Sequence, residues 1–279
     1  MPAVPSCILD PVRDQFLALL PPRPVTHPLG CHRPRVPDAV VFDKLVAALV
    51  FGGGYERHAD ASCSATTMRR RRREWSELGV LDRLWTIALS AYQAVVGLDL
   101  ADLPLDGCLT KAPAGGEVAG PSPVDRAKHG LKLSMVTDGA GVPLGVVAAP
   151  ANVRDDALLD ATLATLTRVE PLDYRPVVHL DAGYNYQPCR DTLARHELLA
   201  AIAQRGVPAP IQNGKRWVVE RTHAWLNAFG RIRRCTERRK NAVEFYLTLA
   251  CILVTVRNLI SRAWYTHRWP TRPRNPRLR

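Results

Sequence analysis

Three acidic residues, far apart in the chain, are the ones whose types and surroundings could do chemistry. Asp106 follows the apolar Leu103-Pro-Leu, and Asp181 follows Val177-Val-His-Leu. Glu220 sits inside Lys215-Arg-Trp-Val-Val-Glu-Arg-Thr-His-Ala-Trp-Leu-Asn-Ala-Phe-Gly230. The first two apolar runs read as strands that deliver an acid. The third stretch reads as an amphipathic helix. At about 100° per residue, Val218, Thr222, Trp225, Leu226 and Phe229 share one side, while Glu220, His223, Asn227 and Arg231 form a stripe on the side expected to be wet. Taken singly, each acid has an ordinary explanation. Asp106 could end a strand in a turn, Asp181 could cap a helix, and Glu220 could be a solvated residue paired with Arg216 or Arg221, since charged residues are mostly exposed. Taken together, two strand-borne aspartates and a helical glutamate are what a two-metal phosphodiester site requires. Mg²⁺ takes oxygen ligands, keeps waters, and binds one or two carboxylates plus phosphate. Two such ions lower the pKa of an attacking water and stabilise the leaving oxygen of an in-line displacement. Without a cation, three gathered carboxylates raise one another's pKa. The acids stand 75 and 39 residues apart, so only a tertiary fold can bring them together.

The charge distribution points to a polyanionic partner. The 279-residue chain has a formal charge of +12, and a strongly basic balance is the electrostatic footprint of nucleic-acid binding. Residues 1–99 carry +2 (12 basic, 10 acidic), residues 100–210 carry −3 (10 basic, 13 acidic), and residues 211–279 carry +13 (16 basic, 3 acidic). The carboxylates are therefore concentrated in the middle and flanked by cations, which suits a nucleic-acid enzyme better than a membrane-surface protein. Seven cysteines at 7, 31, 63, 108, 189, 235 and 251 form no CxxC pair, so a zinc site is not expected, and reduced thiols in a cytoplasm are. No basic start followed by an apolar run marks a signal peptide. The apolar stretch from Phe245 to Val256 is shorter than a membrane span. A cytoplasmic protein with no membrane partner is the expectation.

The elements that must position the acids follow from patterning. Residues 1–37 are Pro-rich, with one helix expected over Ile8–Leu20 and an extended arm after it. Asp38 could cap a helix over Ala39–Phe51, stopped by Gly52-Gly-Gly. Ser64 or Thr66 could cap a helix carrying Arg69, Arg70, Arg71, Arg72 and Arg73, with Met68, Trp75 and Leu78 inward. A further helix should span Leu81–Val96. Helix, turn, basic helix and supporting helix is the order of a helix-turn-helix unit. Five consecutive arginines point all round a helix, so phosphate contacts are expected from them rather than base reading; a solvated face on a structural helix is the alternative. From residue 100 the pattern changes. Strands are expected at Leu103–Leu109, Leu131–Thr137 and Pro143–Ala149, with a hairpin signal at Asp138-Gly-Ala-Gly. A helix over Asp155–Val169, a strand over Pro176–Leu180, a helix over Pro188–His196 and a strand over Leu199–Ile202 come next. After the Glu220 helix, a long buried helix is expected over Ala242–Trp264. The arginines just past the Glu220 helix, Arg231, Arg233 and Arg234 among them, suggest a ridge that tracks DNA. The reading is an α/β chain with three parts: an arm and all-α helix-turn-helix-like DNA-binding domain over residues 1–99, a ribonuclease-H-like catalytic domain over 100–265, and a basic tail over 266–279.

Several stretches resemble one family. They are Cys31-His-Arg-Pro-Arg35, Leu105-Asp-Gly-Cys-Leu-Thr-Lys-Ala-Pro113, Gly120-Pro-Ser-Pro-Val-Asp-Arg126, Gly130-Leu-Lys132, His179-Leu-Asp-Ala-Gly-Tyr184 and Arg216-Trp-Val-Val-Glu-Arg-Thr-His-Ala-Trp-Leu226. Over residues 30–265 the chain resembles the DDE transposases of the IS5 family, in the IS4-like group of bacterial insertion sequences. The resemblance implies Asp106, Asp181 and Glu220 as the metal-binding triad for Mg²⁺ or Mn²⁺, with two ions. It implies Arg216 and Arg221 on the scissile phosphate, Lys128 and Lys132 on transposon-end DNA, double-stranded DNA at both element ends and target, and a homodimer on DNA in the bacterial nucleoid. The chain departs from the family pattern at Ala182 and Asn185, where Arg and Asp are common, and at Asn213 and Asn227. The alternative is a catalytically inactive or domesticated DNA-binding protein of the same fold.

Overall fold

The computed structural model describes residues 4–22, 35–169, 174–204, 206–207 and 215–267. The stretch 31–34, Asn213 and the tail from residue 268 onward lie outside them. Four helices come first: α1 (Ser6–Ala18), α2 (Asp38–Phe51), α3 (Ala65–Glu77) and α4 (Val80–Val95). They form where apolar residues recur at helical spacing, and they end where the chain demands it. Gly52 stops α2 at φ +69°, and a side chain there would strike the backbone of Gly230. Ser64 caps α3 by accepting from the Thr67 N–H, which satisfies one of the donors a helix start leaves open. Met68 and Trp75 turn inward as expected, but Leu78 is 39% exposed.

The sheet is built from β1 (Asp102–Lys111), β2 (Gly120–Pro121), β3 (His129–Thr137), β4 (Pro143–Pro150), β5 (Val177–Leu180) and β6 (Leu199–Ile202). β1, β3 and β4 form an antiparallel meander, while β5 pairs parallel with β1, and β6 parallel with β5. The resulting order, β4-β3-β1-β5-β6 with short β2 on the flank of β3, is the ribonuclease-H-like arrangement. The helix expected over Asp155–Val169 is instead a short α5 (Leu159–Leu163) between two 3₁₀ turns. Thr162 and Thr165 hydroxyls donate back to Leu158 and Thr162 carbonyls, a bonding mode that competes with regular helix. After α6 (Gln187–Arg195) come α7 (Arg216–Asn227), one-turn α8 (Gly230–Arg233) and α9 (Lys240–His267).

One apolar core runs from Phe16 and Phe42 through Trp75 and Trp85 to the sheet and α9. By length and composition α9 could cross a membrane, but 61% of its most apolar window is buried inside the fold. It packs on α1, α3 and α4 on one side and β4 on the other, so the helical N-terminal part and the sheet share this helix as a common wall.

Candidate active site

The register of the sheet positions the two aspartates. β1 and β5 pair Asp102 with Val177, Leu103 with Val178 and Pro104 with His179. The offset of 75 residues is the one that separates Asp106 from Asp181. The ladder stops at the Pro104–His179 pair; the same offset extended two residues would place the aspartates abreast and on the same face, and the Asp181 charge is felt at Asp106. Asp181 follows the last residue of β5 and accepts from the Gly183 N–H at 2.8 Å. Asp106 is half-buried and accepts from the Gly107 N–H at 2.7 Å.

Helix α7 lies along β1 on that face. Lys215, just ahead of α7, reaches Asp102. His223 Nε2 is 3.2 Å from the Asp106 carbonyl oxygen, and the Asn227 side chain reaches the Cys108 sulfur. A helix rises about 1.5 Å per residue and a strand about 3.3 Å, so twelve helix residues keep pace with six strand residues. On that scale His223 lies level with Asp106, and Glu220, three residues earlier on α7, sits about 4.5 Å back along the helix axis. Two more bonds hold the helix from its other side. Thr222 donates to the Gly141 carbonyl at 2.8 Å and Arg221 to the Ala140 carbonyl at 2.6 Å. Both acceptors lie in the β3–β4 turn, where Gly141 at φ +88° comes too close to Arg221 and Thr222 to carry a side chain. The stripe expected to be wet is therefore only partly so. Glu220 is exposed, but His223 is buried and Asn227 half-buried against β1.

Electrostatics tie the acids together. The Asp106 carboxyl is pushed up to about 6 by its burial, and the charges of Asp181, Glu220 and Asp155 push the same way against the Gly107 N–H. His223 moves oppositely: burial pulls it down to about 4. It is neutral near pH 7, and because a carbonyl only accepts, Nε2 carries the proton. Its role is to pin α7 to β1 rather than to exchange protons. Tyr184 is buried beside Asp155, Asp106 and Asp181, and burial raises its pKa most. Asp155 itself was not singled out as a site residue. It stands against Gly107, where a methyl group would collide with it, and accepts from Lys132 Nζ at 2.7 Å. Gly107 and Lys132 point to the face opposite Asp106, so this pair backs the site from behind the sheet. The signal that could have found it is Gly107 beside Asp106, a strand glycine marking a close approach.

Among the described residues, no three His, Cys, Asp or Glu side chains converge tightly enough to hold an ion as they stand. The donor set nonetheless fits a hard divalent cation, being all carboxylate oxygen, and burial together with the neighbouring acidic charges favours the protonated Asp106 carboxyl. A charge is felt across several ångströms, while ligation demands about 2 Å. Exposed Glu220, with three side-chain torsions, has the freedom to close that gap.

The cations expected on DNA divide into two groups. Arg70, Arg73, Lys128, Arg233 and Arg234 are exposed, and Arg69 is exposed but paired with Glu56. Arg216, four residues before Glu220, shares its side of α7. The others are corrections. Arg71 is fully buried on Asp38 and the Val36 carbonyl. Arg72 and Arg231 are buried on Glu237. Lys132 is 8% exposed and held by Asp155. Arg221 turns about 100° away from Glu220 and is stacked between the Trp217 and Trp225 rings, 4.6 and 4.7 Å from their centroids. Each has exchanged water for a protein partner, as a buried guanidinium or ammonium must.

Residues 105–208 match the Transposase DDE domain family. That span holds Asp106 and Asp181 and ends before Glu220. The chain is 38% identical over 146 residues to a putative transposase for insertion sequence element IS402 of Burkholderia cepacia, an alignment covering 50% of this chain and 69% of that protein. Among solved structures it is similar to the catalytic domain of Mos1 mariner transposase, at 15% identity and TM-score 0.34, covering 69% of this chain and 88% of that one. It is also similar to the Mos1 transposase paired-end complex with left transposon end, at 13% identity and TM-score 0.33, covering 83% and 78%. The sequence relative settles the family: the chain belongs to the DDE transposases of bacterial insertion sequences, in the IS5 family of the IS4-like group, enzymes that bind DNA and use a divalent metal.

Proposed function

We propose that this transposase cuts DNA at the ends of its insertion sequence and joins the freed ends to target DNA, in a Mg²⁺-dependent reaction. Asp106, Asp181 and Glu220 would hold the cations, two Mg²⁺ or Mn²⁺. Bound there, the ions would activate the attacking water and neutralise charge at the leaving oxygen. The chain's own residues do the rest. Asp106 on β1 and Asp181 just past the end of β5 set the floor of the site. Glu220 closes over them from α7, and Arg216 beside it contacts the scissile phosphate. In the first step the water oxygen bonds to phosphorus as the P–O3′ bond breaks, leaving a 3′-hydroxyl on the element. In the second step that hydroxyl attacks a target phosphate, and the target's own 3′-oxygen leaves with the proton. Residues 1–99 serve as the DNA-binding part, with Arg69, Arg70 and Arg73 on phosphates. Lys128, Arg233 and Arg234 extend the contact along the sheet side. Two chains act together on paired ends, in the bacterial cytoplasm at the nucleoid.

The observation that supports this reading is the β1–β5 ladder, whose offset of 75 residues equals the spacing of Asp106 and Asp181, with α7 packed along β1. The test is cleavage of DNA carrying the element's ends, with Mg²⁺ and with EDTA. Glu220→Gln should cut at least about 10³-fold more slowly, on the order of 4 kcal/mol of lost transition-state stabilisation, with DNA affinity in EDTA retained. A Glu220→Gln enzyme as active as the parent would remove Glu220 from the site. Ends bound but never cut by the parent protein would mark a DNA-binding protein without catalysis.

A further inference from the structure

Each element that bears an acid also bears a second polar residue nearer the sheet's opposite end, and these three residues meet. Asp102 precedes Asp106 by four residues on β1, His179 precedes Asp181 by two on β5, and Lys215 precedes Glu220 by five at the start of α7. His179 Nε2 is 2.6 Å from Asp102 Oδ1. Lys215 Nζ is 3.5 Å from Asp102 Oδ2 and 3.2 Å from Asp99 Oδ2. The two-residue period of a strand puts Asp102 and His179 on the same face as Asp106 and Asp181.

We propose that Lys215, Asp102 and His179 form a positioning triad that sets the separation of Asp106, Asp181 and Glu220 for cation binding. The inference rests on reading those three acids as the metal ligands. Its physical basis is what each element lacks. The β1–β5 ladder ends at the Pro104–His179 pair, so Asp181 lies beyond the last rung that fixes it to β1. The His179–Asp102 bond braces the two strands at that rung. No ladder runs along α7 itself; past α8 the Cys235 N–H donates to the Lys111 carbonyl at the end of β1, and along α7 side-chain contacts set its place on β1. Thr222 and Arg221 hold it to the β3–β4 turn, and His223 holds its middle. Lys215 is the contact that fixes its beginning, and it does so on the carboxylate that also holds His179. One carboxylate thus couples β1, β5 and the start of α7.

The test is Mn²⁺ binding to the metal-free full-length protein, with free ion followed by electron paramagnetic resonance and folding by thermal denaturation. Partners outside a metal's ligand set cost about 10–100-fold in affinity when removed. Lys215→Met and Asp102→Asn should each weaken Mn²⁺ binding by about 10-fold, and Lys215→Arg, which keeps the cation, by no more than about twofold. Combining Lys215→Met with Asp102→Asn should weaken it little beyond either alone, because both break the same link. The Lys215 side chain is 39% exposed, so its variants fold even where Asp102→Asn does not. Glu220→Gln is the reference. Where Glu220→Gln weakens Mn²⁺ binding and Lys215→Met leaves it at the parent value, the triad is overturned alone. Where Glu220→Gln also leaves it unchanged, the ligand reading falls and takes the triad with it.

Discussion

Two regions of this molecule bury charge, and they resolve it in opposite ways. At the seam between the N-terminal helices and the sheet side, Glu237 receives Arg72 at 2.7 Å and Arg231, and accepts from the Tyr55 hydroxyl at 2.8 Å. Arg231 also donates to the Ala48 carbonyl at 3.1 Å and the Gly53 carbonyl at 2.6 Å, with its guanidinium between the Tyr55 and Tyr246 rings. Tyr246 completes the network by donating to the Tyr55 hydroxyl. Two cations meet one anion, and carbonyls and rings absorb the excess. At the acid face, burial and then the charges of Asp181, Glu220 and Asp155 press on Asp106, and among the described residues its carboxylate accepts only the Gly107 N–H. A buried charge met by an opposite charge and by hydrogen-bond partners holds a fold together, as at the seam, even though Arg72 Nε there is left without a partner among the described residues. One that is left uncompensated is waiting for a ligand. Comparable burial therefore serves structure in one region and chemistry in the other.

Substitutions can break this contrast, and the seam should respond most. Arg231→Met leaves Glu237 with one cation fewer and two carbonyls without their donor. Removing one member of a buried ionic network costs about 3–5 kcal/mol, to be read as a lowered urea midpoint at unchanged slope. A loss under about 1 kcal/mol would mean that the seam tolerates its own dismantling and that the contrast is false.

The acid face should respond with the opposite sign. A carboxyl raised to about 6 from 3.8 binds its proton more tightly in the folded than in the unfolded chain. Metal-free stability therefore falls as pH rises from about 4 to about 6, and the penalty is fully present above that. Asp106→Asn cannot ionise. In EDTA at pH 8 it should be more stable than the parent by up to roughly 3 kcal/mol, and by almost nothing at pH 4. A destabilised Asp106→Asn at pH 8 would contradict the uncompensated charge. By the same titration, Mn²⁺ affinity of the parent should drop as pH falls through about 6.

The smallest effect separates surface from buried arginines on α3. Replacing exposed Arg70 and Arg73 by Ala should make the salt dependence of DNA binding shallower by about 2 in log–log slope, close to one per phosphate contact, with little change in stability. Arg71→Met should do the reverse, lowering stability with the slope unchanged. A slope unmoved by Arg70 and Arg73 would take α3 off the DNA.

Much of the fold was legible because its signals are local. Alternating or continuous apolar runs marked β1, β3, β4, β5 and β6, with β6 matching at both ends, and helical spacing marked α2, α3, α4, α6, α7 and α9. Ser64 as a cap and Gly52 as a stop are one-residue signals and were readable as such. The Asp155–Val169 segment was misread as continuous helix because leucines at helical spacing outvoted threonines whose hydroxyls bond back to the chain. The cationic runs were the least legible. Arg69 to Arg73 are chemically identical in sequence, yet Arg71 and Arg72 lie inside the protein and Arg70 and Arg73 outside. The difference depends on Asp38 and Glu237, which lie 33 and 165 residues away.

By itself the sequence determined which residue types were on hand: three acids at strand ends and on a helix, cations in blocks at either side, and enough apolar periodicity to define the elements that carry them. Those are properties of neighbours along the chain. Only the tertiary structure decided that the β1–β5 ladder runs at the 75-residue offset that also separates the two aspartates. It also decided that His223 pins the glutamate helix and that Asp155 and Lys132 back the site from the far face of the sheet. These are relations between residues that meet only after folding, and their energies depend on burial and mutual approach, which no local pattern encodes.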